Sequence, residues 1–323
     1  MSKVLCSVAT RGRYFTTLPL VLTAILNQSK LPDKLVIFDD NDEPQDMRKE
    51  FIYQHIFQIL DAKKVAWEWL FAGKKGQHHI HQAANLMGFD WVWRVDDDCI
   101  PEPEVLSTLY AYAELRGVGA VGGSIFTPPL IFDTSKSIGC INNVDTEPNI
   151  QWNYIKQSKK VEHLHCSFLY KAGIHDYNLG LSRVAHREET LFTYGIHQKG
   201  YDVLVVPHAI SWHLKNPEGG IRSETRQEMY EHDEQIFKNF IQHNDQTIVV
   251  LNAGLGDHIV FSRILPDISN PIIFTCYPEI VPGRSIAEAH ALFGDLDQWN
   301  IYKKMCDWNW KDSLENAYRK LYL

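Results

Sequence analysis

Two strand-length apolar runs in this chain stop abruptly at clusters of aspartate, and that repeated pattern restricts the fold more than any other feature. Lys34-Leu35-Val36-Ile37-Phe38 runs into Asp39-Asp40-Asn41-Asp42, and Trp91-Val92-Trp93-Arg94-Val95 runs into Asp96-Asp97-Asp98. Nearly continuous apolar runs belong to strands covered on both faces, as in parallel sheets. Further strands are predicted at 3–9, ending at Thr10-Arg11-Gly12-Arg13, and at 65–71. Helical spacing separates them at Leu18–Leu26, about 46–61, Gln77–Met87 and about 103–115. Strand and helix in alternation predict an α/β fold with a mostly parallel, Rossmann-like sheet. In such sheets ligands bind outside the carboxyl ends of the strands, where both acidic clusters fall.

The second half is less regular. Residues 128–165, opening with Pro128-Pro129, read as an irregular polar excursion. Strands return at Cys166–Lys171 and Val203–Pro207, with helices at 188–198 and about 222–243. The polar Asn244-Asp245-Gln246 is the expected boundary between a domain of residues 1–244 and a small α/β appendage of residues 245–323. In the appendage a strand at Thr247–Leu251 leads into Gly254-Leu255-Gly256-Asp257 and a helix, the outline of a phosphate-binding turn. A dinucleotide fingerprint would need a third glycine where Ile259 stands.

The formal net charge of -8 gives no support to a general polyanion-binding surface. The apolar run after Met1 is too short for a signal peptide, and no apolar segment is long enough to span a bilayer. The six cysteines (6, 99, 140, 166, 276 and 306) have no Cys-x-x-Cys spacing and read as buried thiols of a reducing compartment, not as a zinc site. A soluble, cytoplasmic protein is the expectation.

Chemistry points first to the aspartate triplet. On an extended strand Asp96 and Asp98 would share a face while Asp97 points away. Two converging carboxylates suit a hard divalent cation, Mg²⁺ or Mn²⁺, which commonly shares its shell with substrate phosphates. An isolated Asp-x-Asp is more often a solvated turn, so context decides. His213 is a candidate third ligand, with His208 as the fallback. His78, His79 and His81 have metal-like spacing without a closed shell and read as a helix start.

That context resembles glycosyltransferase family 2. Asp96-Asp97-Asp98-Cys99-Ile100-Pro101-Glu102-Pro103-Glu104-Val105-Leu106 is similar to the family's Asp-x-Asp segment. Ser7-Val8-Ala9-Thr10-Arg11-Gly12-Arg13 resembles its first strand and nucleotide-binding loop, Ala24-Ile25-Leu26-Asn27-Gln28-Ser29 its first helix end, and Ile37-Phe38-Asp39-Asp40-Asn41 its second strand. Glu188-Glu189 stands ahead of Gly200-Tyr201 as the family's acidic pair does, although Gly195 replaces the family's arginine. The resemblance covers about residues 3–215 and implies a GT-A fold and a metal-dependent, inverting transfer from a nucleotide-diphosphate sugar, with UDP as the nucleotide. It implies that Thr10, Arg11, Arg13, Asp39, Asp40, Asp96 and Asp97 bind the donor. It further implies that Asp96, Asp98 and His213 hold Mn²⁺ or Mg²⁺ and that Glu189, or Glu188 beside it, is the general base. The appendage has a weaker likeness to part of a GT-B heptosyltransferase-like domain.

The acceptor on this reading is a glycan or other hydroxyl compound. Two rivals stand beside it. A glycosyltransferase acting on hydroxylated bases of DNA would need a local basic stripe and a pocket for an extruded base. A catalytically silent nucleotide-sugar-binding protein would not need the acidic pairs in both places.

Overall fold

The computed structural model describes residues 2–128, 137–142, 148–153, 155–215, 219–220, 226–242, 247–268, 271–293, 296 and 313–322. Its first part alternates β1 (Val4–Thr10), α1 (Leu18–Leu26), β2 (Lys34–Asp39), α2 (Phe51–Ala62), β3 (Ala66–Phe71), α3 (Gln77–Asn85) and β4 (Trp91–Asp96). Then come β5 (Cys99–Pro101), α4 (Val105–Ala113), β6 (Val118–Phe126), β7 (Ser137–Asn142), β8 (Asn149–Asn153), β9 (Lys159–Val161) and β10 (Phe168–Lys171). α5 (Glu188–Gln198), β11 (Asp202–His213) and α6 (Gln227–Gln242) follow. The last part holds β12 (Thr247–Leu251), α7 (Leu255–Ile264), β13 (Pro271–Thr275), β14 (Arg284–Ser285), α8 (Ile286–Phe293) and α9 (Leu314–Tyr322).

The main sheet has the order β3-β2-β1-β4-β10-β6-β11-β5, with β9 paired to β11. β3, β2, β1 and β4 are mutually parallel, as their apolar runs predict, while β10 inserts antiparallel between β4 and β6. One apolar core packs the α1, α2 and α4 side of the sheet around Val8, Leu22, Ile37, Trp93 and Leu106. A second packs α3 and α5 on the other face around Leu5, Val36, Ile80, Phe168 and Phe192. Burying a large side chain of this kind stabilises by roughly 1.5–3 kcal/mol before entropy is counted.

The end of α1 has a role beyond its own helix. Buried Gln28 donates from Nε2 to the carbonyl of Glu102 (2.8 Å) and accepts at Oε1 from the amide of Leu106 (3.0 Å). Ser29 donates its amide to the carbonyl of Pro103 (2.8 Å). These bonds fix the segment that follows the aspartate triplet.

Several expectations are corrected. The helix foreseen over 46–61 is broken at Glu50, whose extended backbone separates a short 3-10 turn at Met47–Lys49 from α2. Among its described residues the excursion 128–165 contains three short strands, β7, β8 and β9. The strand foreseen to end at Pro207 runs on to His213, because Pro207 sits where the β6 register shifts between Val205 and Ile210 and no ladder hydrogen bond is asked of it. Cys6, Cys99 and Cys166 are buried thiols, but Cys276 is exposed; Cys306 and the boundary Asn244-Asp245-Gln246 lie outside the described residues.

β12, β13 and β14 form a separate parallel sheet with its own apolar core around Leu251, Phe261, Ile273 and Tyr318. Among the described residues no helix is long and apolar enough to cross a membrane.

Candidate active site

A cleft of about 410 Å³ opens at the carboxyl ends of β1 and β4 and is closed on its far side by the start of α5 and the end of β11. Its β1 side is a polar lattice. Thr10 Oγ1 (2.8 Å) and the Arg11 amide (3.4 Å) donate to Asp97 Oδ2. The Arg13 guanidinium donates to Asp97 Oδ1 and pairs with Asp98 Oδ2 at 2.9 Å. Burial works against the Arg13 charge, but Asp97 and Asp98 outweigh it and raise its pKa. The Arg11 guanidinium reaches Asp42 at 2.9 Å, and the Gly12 amide donates to Asn41 Oδ1 at 2.6 Å.

Two residues expected at the donor have carboxylates already engaged by protein groups. Asp39 is fully buried and accepts from the Tyr14 hydroxyl and from the Asn41 amide (3.0 Å) and side chain (2.7 Å), so it fixes the loop after β2. Asp97 is buried at the edge of the cleft with both oxygens engaged by Thr10, Arg11 and Arg13. Desolvation pushes its carboxyl up to about 6 against the pull of Arg13. Asp40 does line the cleft, although it accepts from the amides of Lys75 (2.9 Å) and Gly76 (3.0 Å). These tie it to the start of α3, where His78 and His81 are buried among core side chains, not grouped as ligands.

Strand alternation does not govern the triplet, because β4 ends at Asp96 and Asp97-Asp98 form the turn into β5. All three carboxylates therefore border the same cleft. β5 pairs antiparallel with β11 in a register that sets His213 opposite Cys99. This places His213 Nε2 3.4 Å from Asp98 Oδ1. Asp96, half-buried, also borders the cleft and accepts from Arg94 Nη2 at 3.2 Å. Carboxylates with an imidazole are donor types that suit Mn²⁺ or Mg²⁺. Asp98 and His213 stand close enough to share an ion, and Asp96 borders the same cleft. Among the described residues, the three donors within 4.8 Å of one another are those of His165, Cys166 and His213. His208 is exposed and stacks edge-on with Tyr112, so the fallback is not in the site.

The glutamate pair divides by environment. Glu188 is buried; it pairs with the fully buried Arg94 at 2.8 Å and accepts from Gln77 Nε2 at 2.9 Å. Glu189, one residue on, lines the cleft and its Oε1 meets His165 Nδ1 at 3.0 Å. Burial would raise the Glu189 carboxyl, but the His165 hydrogen bond and nearby Arg94 hold it well below the ordinary range. It stays ionised. Where the family arginine would stand, a Cβ on Gly195 would come within 2.1 Å of the His175 ring, so His175 fills that space.

Three features escaped the sequence reading. His165 and Cys166 border the cleft and, with His213, offer donor atoms within 4.8 Å of one another; the motif spacing missed them because two of the three precede β10 and the third ends β11. Gly219 and Gly220 fold back over the β1 loop, with the Gly220 amide bonded to the Arg11 carbonyl. Arg187, in left-handed conformation before α5, donates to Glu234 Oε2 of α6 at 2.9 Å.

In the curated galactofuranosyltransferase GlfT1 of Mycolicibacterium smegmatis, 128 residues align at 27% identity, covering 37% of this chain and 38% of that protein. A crystal structure of GalNAc-T7 with UDP, GalNAc and Mn²⁺ superposes with a TM-score of 0.58 at 11% identity, over 99% of this chain and 56% of the other. The chain thus spans well under two thirds of either protein's length, and the second likeness establishes the fold as GT-A. The profile of Glycosyl transferase family 2 matches residues 8–177, more than half of the sequence, and the chain belongs to that family.

Proposed function

We propose that this protein is an inverting glycosyltransferase that moves a sugar from a nucleotide-diphosphate donor, with UDP as the nucleotide, to a hydroxyl of a glycan or small glycoconjugate. The observation that carries the reading is the placement of Asp96, Asp98, His213 and Glu189 on one cleft, with Asp98 3.4 Å from His213. It is supported by family membership and by the UDP and Mn²⁺ that accompany GalNAc-T7 in its crystal structure.

Asp98 and His213, with Asp96 beside them, would hold Mn²⁺ or Mg²⁺, which when bound acts as a Lewis acid on the donor diphosphate. Arg13 brings a fixed positive charge to the same wall, and Thr10, Arg11 and Asp40 shape the nucleotide side. Glu189 accepts the proton of the acceptor hydroxyl while that oxygen attacks the anomeric carbon opposite the leaving diphosphate. His165 orients the carboxylate. Glu188 balances Arg94 under the site and leaves the base role to its neighbour. The sheet of β12, β13 and β14 is a non-catalytic appendage on this reading.

Calorimetry of UDP with and without Mn²⁺, on the native chain and on Asp98→Ala, tests the donor half. Binding that needs both Mn²⁺ and Asp98 is expected; equal affinity in all four cases overturns it. NMR of the anomeric centre in the product tests inversion.

A further inference from the structure

The ring nitrogens around Cys166 are arranged in a way the transfer reaction does not require. His165 turns Nδ1 to Glu189 (3.0 Å) and Nε2 to Cys166 Sγ (3.0 Å). His213 turns Nε2 to Asp98 (3.4 Å) and Nδ1 to Cys166 Sγ (3.9 Å). Each imidazole therefore has a carboxylate on one nitrogen and the same sulfur on the other. This is the carboxylate–histidine arrangement that fixes tautomer and ring direction in zinc centres. Bond lengths of about 2.0–2.1 Å to nitrogen and 2.3 Å to sulfur put tetrahedral donors roughly 3.3–3.8 Å apart. The donor atoms of the three residues, all within 4.8 Å, need only small side-chain adjustments to reach that spacing.

We propose that His165, Cys166 and His213 form a second metal site, for a thiophilic divalent cation such as Zn²⁺, and that its occupation excludes the hard cation from Asp98 and His213. Three protein donors leave a fourth position, and the residues border the cleft. On ligation the Cys166 thiol gives its proton to solvent and binds as thiolate.

The exclusion follows from the chemistry of one ring. A neutral imidazole carries one lone pair. When His213 gives it from Nδ1 to the soft ion, Nε2 bears the proton and donates to Asp98. When it gives it from Nε2 to an ion on Asp98, Nδ1 bears the proton and faces Cys166. A neutral ring serves one ion at a time, so zinc acts as an inhibitor that competes with Mn²⁺ for His213. Glu189 in the zinc-bound state is held as the acceptor of the His165 Nδ1 proton and is withdrawn from base duty.

The test uses Co²⁺ as a spectroscopic substitute for zinc, on the native chain and without nucleotide, so it stands apart from the donor reading. Tetrahedral Co²⁺ bound through Cys166 gives a thiolate-to-cobalt charge-transfer band in the near ultraviolet, which Cys166→Ser abolishes. Zn²⁺ affinity measured by calorimetry falls at least about tenfold in Cys166→Ser, since losing a ligand costs more than losing an outer-shell partner. Mn²⁺ affinity does not fall. Bound Mn²⁺, followed by its paramagnetic resonance, is released by one equivalent of Zn²⁺. No thiolate band in the native chain, undiminished Zn²⁺ affinity in Cys166→Ser, or both ions bound together would each overturn the proposal.

Discussion

The Arg94 guanidinium and the Glu188 carboxylate meet at 2.8 Å with neither side chain exposed, and Asp96 borders the cleft on the other nitrogen of the same guanidinium. A buried pair of this kind contributes little net stability compared with an apolar pair, but leaving one partner alone is costly. Glu188→Gln leaves Arg94 with Asp96 as its remaining ion-pair partner among the described residues and should lower stability by about 1–3 kcal/mol, read as an earlier denaturant midpoint. Full stability in that variant would mean that Asp96 alone suffices to balance Arg94.

Glu189→Gln should behave oppositely. It keeps the shape, removes the basicity, and should lower kcat by roughly 10²–10⁴-fold while UDP affinity holds, because the carboxylate faces the acceptor and not the diphosphate. A pure rise in KM for the acceptor would make Glu189 a binding residue.

Gly220 adopts φ +75°, and a Cβ there would come within 2.7 Å of Arg13 Nη2. Gly220→Ala should displace either the loop or the guanidinium and weaken UDP binding by about tenfold, the equivalent of roughly 1.4 kcal/mol. Unchanged affinity would show that Arg13 plays no part in donor binding.

Glu234 is pulled down to about 2: burial opposes the charge, but hydrogen bonds from His186 and Arg187 prevail. Its folded pKa lies below the ordinary 4.5, so the folded state gains stability above that value and loses it as pH falls towards 2. Glu234→Gln should be less stable than the native chain at neutral pH, with the gap narrowing below pH 4.5. Denaturant unfolding at neutral pH and at about pH 3 measures it. A gap that widened in acid would have the wrong sign.

Asp257 accepts from the Tyr318 hydroxyl at 2.7 Å, joining α7 to α9. Asp257→Asn retains an acceptor and should cost under about 1 kcal/mol of stability, with turnover unchanged. A loss of turnover as large as that of Asp98→Ala would make the appendage part of the catalytic machinery.

The parallel half of the sheet was legible because burial on both faces writes itself as the apolar runs of β1, β2 and β4, each with a polar stop. Motif order then picked out Asp98, His213 and Glu189, which border one cleft. What the sequence hid was pairing across distance. Asp39 and Asp97 carry the same chemistry as their acidic neighbours, and only the positions of Tyr14, Asn41, Thr10 and Arg13 show which groups engage them. His165 and Cys166 were hidden likewise, since their partner His213 arrives from the far end of β11. The extension of β11 past Pro207 was missed because a local breaker was read without the register shift that accommodates it.

The pairing of β5 with β11 has a consequence for how such a chain can diverge. Ser211, Trp212 and His213 are laced to Pro101, Ile100 and Cys99, so the aspartate turn and its histidine form one rigid piece although the intervening chain includes the whole of 127–167. Within that stretch β9, paired to β11, and His165 and Cys166, which border the cleft, are tied to the piece. Loop length elsewhere is cheap to change, at about 0.6 kcal/mol per doubling. A lineage could thus inherit the aspartate turn and its histidine as one unit while parts of the chain that joins them are rewritten.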